Sequence, residues 1–530
     1  MSTSWQHFQD NYLRYPNLGF SIDLSLSGLE QSYIKSLSPQ IDKAFDDMKK
    51  LEAGEIANPD EGRMVGHYWL RNPQLAPDKE IQQHISDNIA EIKDFAQAIH
   101  SGSIQAPSGQ NFQHVLLIGI GGSALGPQLL AGALAAADAP LAIHFFDNTD
   151  PDGIDHTLAC IGDELDRTLV LVISKSGGTA ETRNGMLEAA RVFKAHKLSF
   201  SNHAVAITGE DSKLDQKAAS ENWLKRFHMA DWTGGRTSIM SVVGLVPAAL
   251  IGIDIDALLS GAATMDELTR QPCIQQNAAM LQALAWHQAG NGKGEKDLVI
   301  LPYKDGLGLF GKYLQQLIME SLGKAEDLDG KMVNQGIAVY GNKGSTDQHA
   351  YVQQLRDGVN NFIATLVEVQ QSRNNESGKT FEVETGVTSA DFLEGFLRGT
   401  REALSSNQRA VITLSIKQLD ASNLGMLIAL FERSTGFYAS LVNVNAYHQP
   451  GVEAGKKAAG EFLAILKKVQ QCLQQHAGQS FTAEQLAQQL DDNNEIEPLY
   501  HALQHLANND AHIYGEPGNT PNDDQFTHNP

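Results

Sequence analysis

Short, wholly apolar runs alternating with helical patterns are what most constrain the fold of this chain. The first series is HVLLIGI (His114 to Ile120), LAIHFFDN (Leu141 to Asn148), LVLVIS (Leu169 to Ser174) and HAVAIT (His203 to Thr208), with a long helix over Thr179 to Lys197. After a helical bridge comes a second series: DLVILPY (Asp297 to Tyr303), GIAVYG (Gly336 to Gly341), FIATLVEV (Phe362 to Val369) and VITLSI (Val411 to Ile416). A strand that is apolar on both sides must be covered on both faces, so each series predicts parallel βαβ units. Two such units leave a cleft between them, and ligands in these sheets sit at the carboxyl ends of the strands.

The flanks read differently. Leu29 to Leu51 and Ile81 to Ile99 carry apolar residues at helical spacing, and helix resumes from Val452. The final stretch, GEPGNTPNDDQFTHNP, is polar and rich in Pro and Gly, which predicts a frayed terminus. The expected organisation is an α/β protein with a helical extension over 1–105, one α/β subdomain over 106–270, a second over 271–450 and a helical arm over 451–530.

The chain has 530 residues, 42% of them hydrophobic, which is enough for sizeable cores. A formal net charge of −23 argues against general affinity for nucleic acid or an anionic membrane, though not against an anionic small ligand in a local pocket. The opening MSTSWQHFQD lacks the basic and apolar regions of a secretory signal. The most apolar stretch, Val242 to Ile255, is interrupted by Gly244, Pro247 and Gly252 and reads as a buried helix rather than a membrane span. The three cysteines, Cys160, Cys273 and Cys472, are far apart and lack metal-type spacing, so reduced thiols and a cytoplasmic location are expected.

Six segments could carry chemistry. IGIGGSALGP (Ile118 to Pro127) ends a strand and opens a helix, so Gly122 and Ser123 lie where a backbone can approach an anion. A dinucleotide reading is also open there, with Gly119, Gly121, Ala124 and Asp147 at the relevant positions, and so is a purely structural turn. ISKSGGTAET (Ile173 to Thr182) gathers Ser174, Lys175, Ser176 and Thr179 around a second helix start. Three hydroxyls and an ammonium suit a phosphate monoester, which needs donors on several sides, although an ordinary Ser/Thr cap is the blander alternative.

DWTGGRTSIMSVVGL (Asp231 to Leu245) holds Arg236 between two glycines and an apolar helix, a context that favours a cleft over the surface. In YLQQLIMESLGK (Tyr313 to Lys324), Gln316 and Glu320 share a helix face among apolar neighbours. Apolar surroundings make a carboxylate a stronger base, whereas a salt-bridged rim acid is equally compatible with the pattern. In GSTDQHAYVQQL (Gly344 to Leu355), Ser345 and Gln348 have capping-box spacing, which puts His349 in a first helical turn, where the positive helix end favours a neutral imidazole. A plain capping or core histidine fits as well. AYHQPGVEAGKKAAG (Ala446 to Gly460) brings Gln449 and Lys456 to a Pro-Gly helix entry, where both lysines could instead be solvated.

Taken in order, these segments resemble the glucose-6-phosphate isomerase family over Ile118 to Gly460. The most specific signatures are GGR-T-S with Arg236, MES-x-GK with Glu320, and Q-x-GVE-x-GK ending at Lys456. The resemblance implies two sugar-isomerase (SIS) α/β subdomains with helical extensions. It implies that Ser123, Ser174, Lys175, Ser176 and Thr179 bind the phosphate and that Gln316 and Gln449 contact substrate. Arg236 would steady the enediol intermediate, Glu320 would move the proton between C2 and C1, and His349 with Lys456 would assist ring opening. HQPG, MESLGK and SKSGGT depart from the commonest forms of their motifs but keep the polar groups, which points to a bacterial-type subgroup.

A redox-neutral proton shift needs one base and donors for the enediolate oxygens, so no metal or cofactor is expected. The implied partners are a sugar phosphate and a second copy of the chain, in a homodimer with shared active sites. The alternatives are an isomerase of another phosphosugar, a non-catalytic SIS sensor and, more remotely, a dinucleotide oxidoreductase. A sensor needs the phosphate cradle but not Glu320, His349 and Lys456.

Overall fold

The structure is a computed structural model that describes residues 2–373, 381–491 and 496–530. The chain divides into two compact units, Met1–His448 and Gln449–Pro530. In the first unit, five parallel strands form one sheet in the order Ala142–Phe146, His114–Ile118, Thr168–Ile173, Ala204–Gly209, Lys225–Met229. Alternate residues leave opposite faces of a strand. Val115, Leu117, Leu169, Leu171 and Ile173 accordingly enter the main core, while Leu116, Ile118, Val170 and Val172 enter a second cluster on the other face. That two-sided burial is why these strands read as unbroken apolar runs.

The second sheet has six strands, in the order Tyr12–Tyr15, Phe20–Leu26, Ala410–Ile416, Phe362–Val369, Asp297–Pro302, Val339–Tyr340. Its last four are parallel, and the run expected over Gly336 to Gly341 narrows to Val339–Tyr340. The first two strands come from the N-terminal segment, which is therefore not helices and loops alone. Phe20–Leu26 lies antiparallel on Ala410–Ile416. Its sequence, FSIDLSL, alternates apolar and polar residues at period 2, a strand signal that the helical spacing from Leu29 onward obscures.

A buried ion cluster ties the same N-terminal segment to the core helices Ile255–Arg270 and Ala421–Leu441. Arg71 pairs with Asp266 and Glu432, and Arg433 pairs with Asp266 and Glu52. Charges this deeply buried are tolerated only when paired. The stretch expected as a buried helix forms one over Val242–Leu250, with every residue buried.

In the second unit, helices Pro450–Gln475, Ala483–Gln489 and Ile496–Asn509 pack around Val469, Leu473, Leu486, Leu499, Leu503 and Phe526. The terminal stretch is not frayed. Gln525–His528 is the middle strand of a three-stranded antiparallel sheet with Ser480–Phe481 and Ile513–Glu516. Phe526 anchors it by pointing into the core, a single apolar contact that polar composition conceals.

Candidate active site

In the five-stranded sheet, His114–Ile118 connects onward to a strand on one side and its neighbour Thr168–Ile173 to a strand on the other. The loops leaving these two strands therefore diverge and open a crevice between them. After the first strand comes a 3₁₀ turn, Gly121–Ser123, with Gly121 at φ +57°, before helix Leu125–Leu134. Gly122 has to be glycine, because a Cβ there would lie 2.2 Å from the Gly235 carbonyl oxygen. The same approach lets Ser238 Oγ donate to the Gly122 carbonyl at 3.2 Å, docking the turn that carries Arg236 against the Gly122–Ser123 turn.

The second loop, Ser174 to Thr179, precedes helix Ala180–Ala195. Ser174 Oγ donates to Thr179 Oγ1 at 3.2 Å, and Ser176 Oγ accepts the Gly178 N–H at 3.1 Å. Thr179 is the residue before the helix, but its side chain makes no capping bond, so the first N–H groups of the helix keep their capacity for an anion. Lys175 Nζ reaches across to the Asp231 and Thr233 carbonyls at 2.7 and 3.0 Å and to the Asp231 carboxylate at 3.3 Å. Burial lowers the pKa of this ammonium, and Asp231 opposes the shift. The segment Asp231–Ser238 thus touches both loops at once.

Arg236 is buried, its side chain 4% exposed. It donates to the carbonyls of Ala446 at 2.7 Å and His448 at 3.2 Å, which fix the guanidinium plane. Its Nε lies 3.5 Å from Glu320 Oε2, an ion pair too long to be a good hydrogen bond. That oxygen is buried without a hydrogen-bond partner in a side chain that is 20% exposed. Glu320 closes a π-helical segment, Gln315–Glu320, embedded in an otherwise α-helical stretch, a deviation that recurs at functional sites. Gln316, one turn earlier, aims its amide at Gly121: a Cβ on that glycine would be 3.3 Å from Gln316 Nε2. Gly121, Gly122, Arg236, Gln316 and Glu320 are therefore assembled at one place, with Lys175 connected to them through the Asp231–Ser238 segment.

Other expected residues are placed differently. The Ser345/Gln348 capping box does not form. Ser345 makes no side-chain cap, and Gln348 Nε2 goes instead to the Phe396 carbonyl at 2.9 Å and Tyr303 Oη at 3.3 Å. His349 is exposed and ends a 3₁₀ turn, Thr346–His349, rather than starting a helix, so the helix-dipole argument for its neutrality does not apply. Among the described residues it has no hydrogen bond or ion pair to Arg236 or Glu320. Gln449 and Lys456 lie in the C-terminal unit, Gln449 just before helix Pro450–Gln475 and Lys456 exposed on it. Asp147, the candidate ribose acid, accepts from Gln128 at 2.7 Å.

Two charged neighbours of these residues were not singled out in the sequence. Asp60 belongs to the turn between Ile56–Asn58 and Arg63–Met64; it accepts from Asn445 at 2.5 Å and lies 3.7 Å from His448 Nδ1. An acid in a turn such as NPDEG carries no address in sequence. Lys324, at the end of MESLGK, donates to the carbonyls of Glu320 and Ser321 at 2.7 and 2.8 Å. The motif itself was the signal. Among the described residues, no three His, Cys, Asp or Glu side chains are grouped as a metal requires, and no helix is long and apolar enough to cross a membrane.

A family model described as phosphoglucose isomerase matches residues 23–482. Glucose-6-phosphate isomerase of Geotalea daltonii is 55% identical over 525 residues, covering 99% of this chain and 98% of the relative. That of Trichormus variabilis is 56% identical over 505 residues, 95% of each chain. Among solved structures, a glucose-6-phosphate isomerase from Chlamydia trachomatis superposes with a TM-score of 0.77 at 26% identity, covering 87% of this chain and 91% of that one. A hypothetical protein of Thermus thermophilus gives 0.69 at 28% identity, covering 83% and 99%. Two α/β sheets in one body and near-full-length relatives that are aldose–ketose isomerases place the chain in that class of enzyme. Within that class, the chain belongs to the phosphoglucose isomerase family.

Proposed function

We propose that this enzyme interconverts glucose 6-phosphate and fructose 6-phosphate in the cytoplasm, by moving one proton between C2 and C1 through an enediol. The observation that carries the reading is the Glu320 carboxylate oxygen, buried without a hydrogen-bond partner and 3.5 Å from the Arg236 guanidinium. A carboxylate that is partly open, with one oxygen left without a hydrogen bond, can accept a carbon-bound proton and return it to the neighbouring carbon. Arg236, already locked by two carbonyls, can meet the enediolate oxygen without reorganising. Ser174, Lys175, Ser176, Thr179, Gly122 and Ser123 hold the phosphate, and Gln316 and Gln449 the sugar hydroxyls.

His349 and Lys456 open the ring, with His349 supplied by a second copy of the chain. The exposure of His349 in the single chain supports that arrangement, and a closed two-fold pair is the commonest homo-oligomer. The test is a coupled assay for glucose 6-phosphate formed from fructose 6-phosphate by the purified chain. Absence of turnover would reject the reading.

A further inference from the structure

The catalytic carboxylate stands at an awkward place on its helix. Glu320 ends the π-helical segment, and helix continues only through Ser321 and Leu322. The last carbonyls of a helix lack intrahelical partners and present its negative end, which is unfavourable beside a carboxylate. Here they are answered one by one. Gly323 N–H donates to the Met319 carbonyl at 2.8 Å. A Cβ at Gly323 would itself lie 2.8 Å from that oxygen, so glycine is what lets the chain turn back so tightly. Lys324 then starts the strand Lys324–Glu326, where it pairs with Gln335, and its side chain folds back under the helix end. Its ammonium takes the next two carbonyls, Glu320 at 2.7 Å and Ser321 at 2.8 Å, and the residue is buried.

We propose that Lys324 is a positioning residue for the isomerisation, holding the helix end so that the Glu320 carboxylate stays set against Arg236. This rests on the proposed function above. The ammonium also adds a positive charge beneath a site in which negative charge develops. The charged groups facing it are Arg236, Glu320, Asp60 and, through its imidazole, His448. Burial, then Arg236, lower its pKa to about 8, against the pull of Glu320 and Asp60. The lysine is charged below that pH and neutral above it, so its hold on the carbonyls weakens as pH rises through about 8.

The experiment is the pH dependence of kcat for wild type, Lys324→Met and Lys324→Arg, with KM measured alongside. Wild-type kcat is expected to fall with a midpoint near pH 8. Lys324→Met should lose about 10- to 100-fold in kcat with KM little changed, as misplacing a reacting group does. Lys324→Arg should move the alkaline midpoint up by more than about one pH unit, since a guanidinium keeps its proton. A wild-type kcat that is flat from about pH 7 to about pH 9.5 overturns the proposal, as does a Lys324→Met enzyme within about threefold of wild type. If the methionine variant does not fold, the wild-type profile and Lys324→Arg decide. Wild-type turnover is the control: an inactive wild type defeats the isomerase reading itself, whereas an active one with a flat profile defeats only the role of Lys324.

Discussion

Glu320 and Gln316 sit on one helix yet face different demands. Glu320→Gln keeps the volume of the side chain and its place beside Arg236 but removes the proton acceptor. General base catalysis contributes about 10²- to 10⁴-fold, so kcat should fall by about 10³-fold while KM stays within a fewfold of wild type. Steady-state kinetics checks this, and a variant that retained about a tenth of the wild-type rate would take the base role from Glu320. Lys175 makes a different prediction. Its ammonium donates to two carbonyls of the Asp231–Ser238 segment and remains partly exposed in the crevice. Lys175→Ala should weaken inhibition by inorganic phosphate and by every sugar-phosphate analogue alike, by about tenfold or more, since charge-assisted bonds are the strong ones. A variant that discriminated among sugars but held phosphate normally would show that the ammonium serves the sugar instead.

Among the elements, the contact that builds the site is between two short turns. Gly121–Ser123 and Gly235–Thr237 pack backbone to backbone, and the Gly122 position leaves no room for a side chain. Gly122→Ala must push these turns apart, moving Arg236 away from the crevice. Displacement of this kind is expected to cost about 100-fold in kcat/KM. Gly235→Ala is the matched control, because nothing lies within 4 Å of a Cβ at that position. Its kcat/KM should remain within about threefold of wild type. Equal losses in the two variants would mean that glycine flexibility, not the close approach, is what matters.

For the whole molecule, the prediction concerns assembly. Glu320→Gln and His349→Ala are each expected to be nearly inactive. If each site draws His349 from the other subunit, a mixed dimer carries both lesions at one site and neither at the other. Activity should therefore return toward half of wild type per mixed dimer once exchange is verified by tagged pull-down or native mass spectrometry. Confirmed exchange without recovery would place both residues in one subunit's site. Within one chain, the N-terminal segment is part of the same body as both sheets. It supplies an edge hairpin to the six-stranded sheet, Arg71 to the buried ion cluster and Asp60 to the neighbourhood of His448.

The two strand series, the helices between them and the loops at their carboxyl ends were legible in sequence because each signal is local: an apolar run, a glycine pair, a hydroxyl beside a helix start. The glucose-6-phosphate isomerase resemblance was legible because GGR-T-S, MES-x-GK and Q-x-GVE-x-GK are short and ordered. The strand Phe20–Leu26 was also written locally, in a period-2 alternation, but its partner lies far along the chain, and only tertiary pairing brings Ile22 beside Leu414. The approach of Gly122 to Gly235, the 3.5 Å between Arg236 and Glu320 and the bonds that hold Arg236 to Ala446 and His448 join segments that no spacing rule relates. The capping box at Ser345 failed for the same reason in reverse. Its pattern was satisfied, but Gln348 found stronger company in Phe396 and Tyr303 once the chain had folded. Sequence determines what a residue can do next to its neighbours in the chain. Which distant groups it meets is decided by packing, because that choice is made by the summed burial of two sheets and their helices rather than by any one residue.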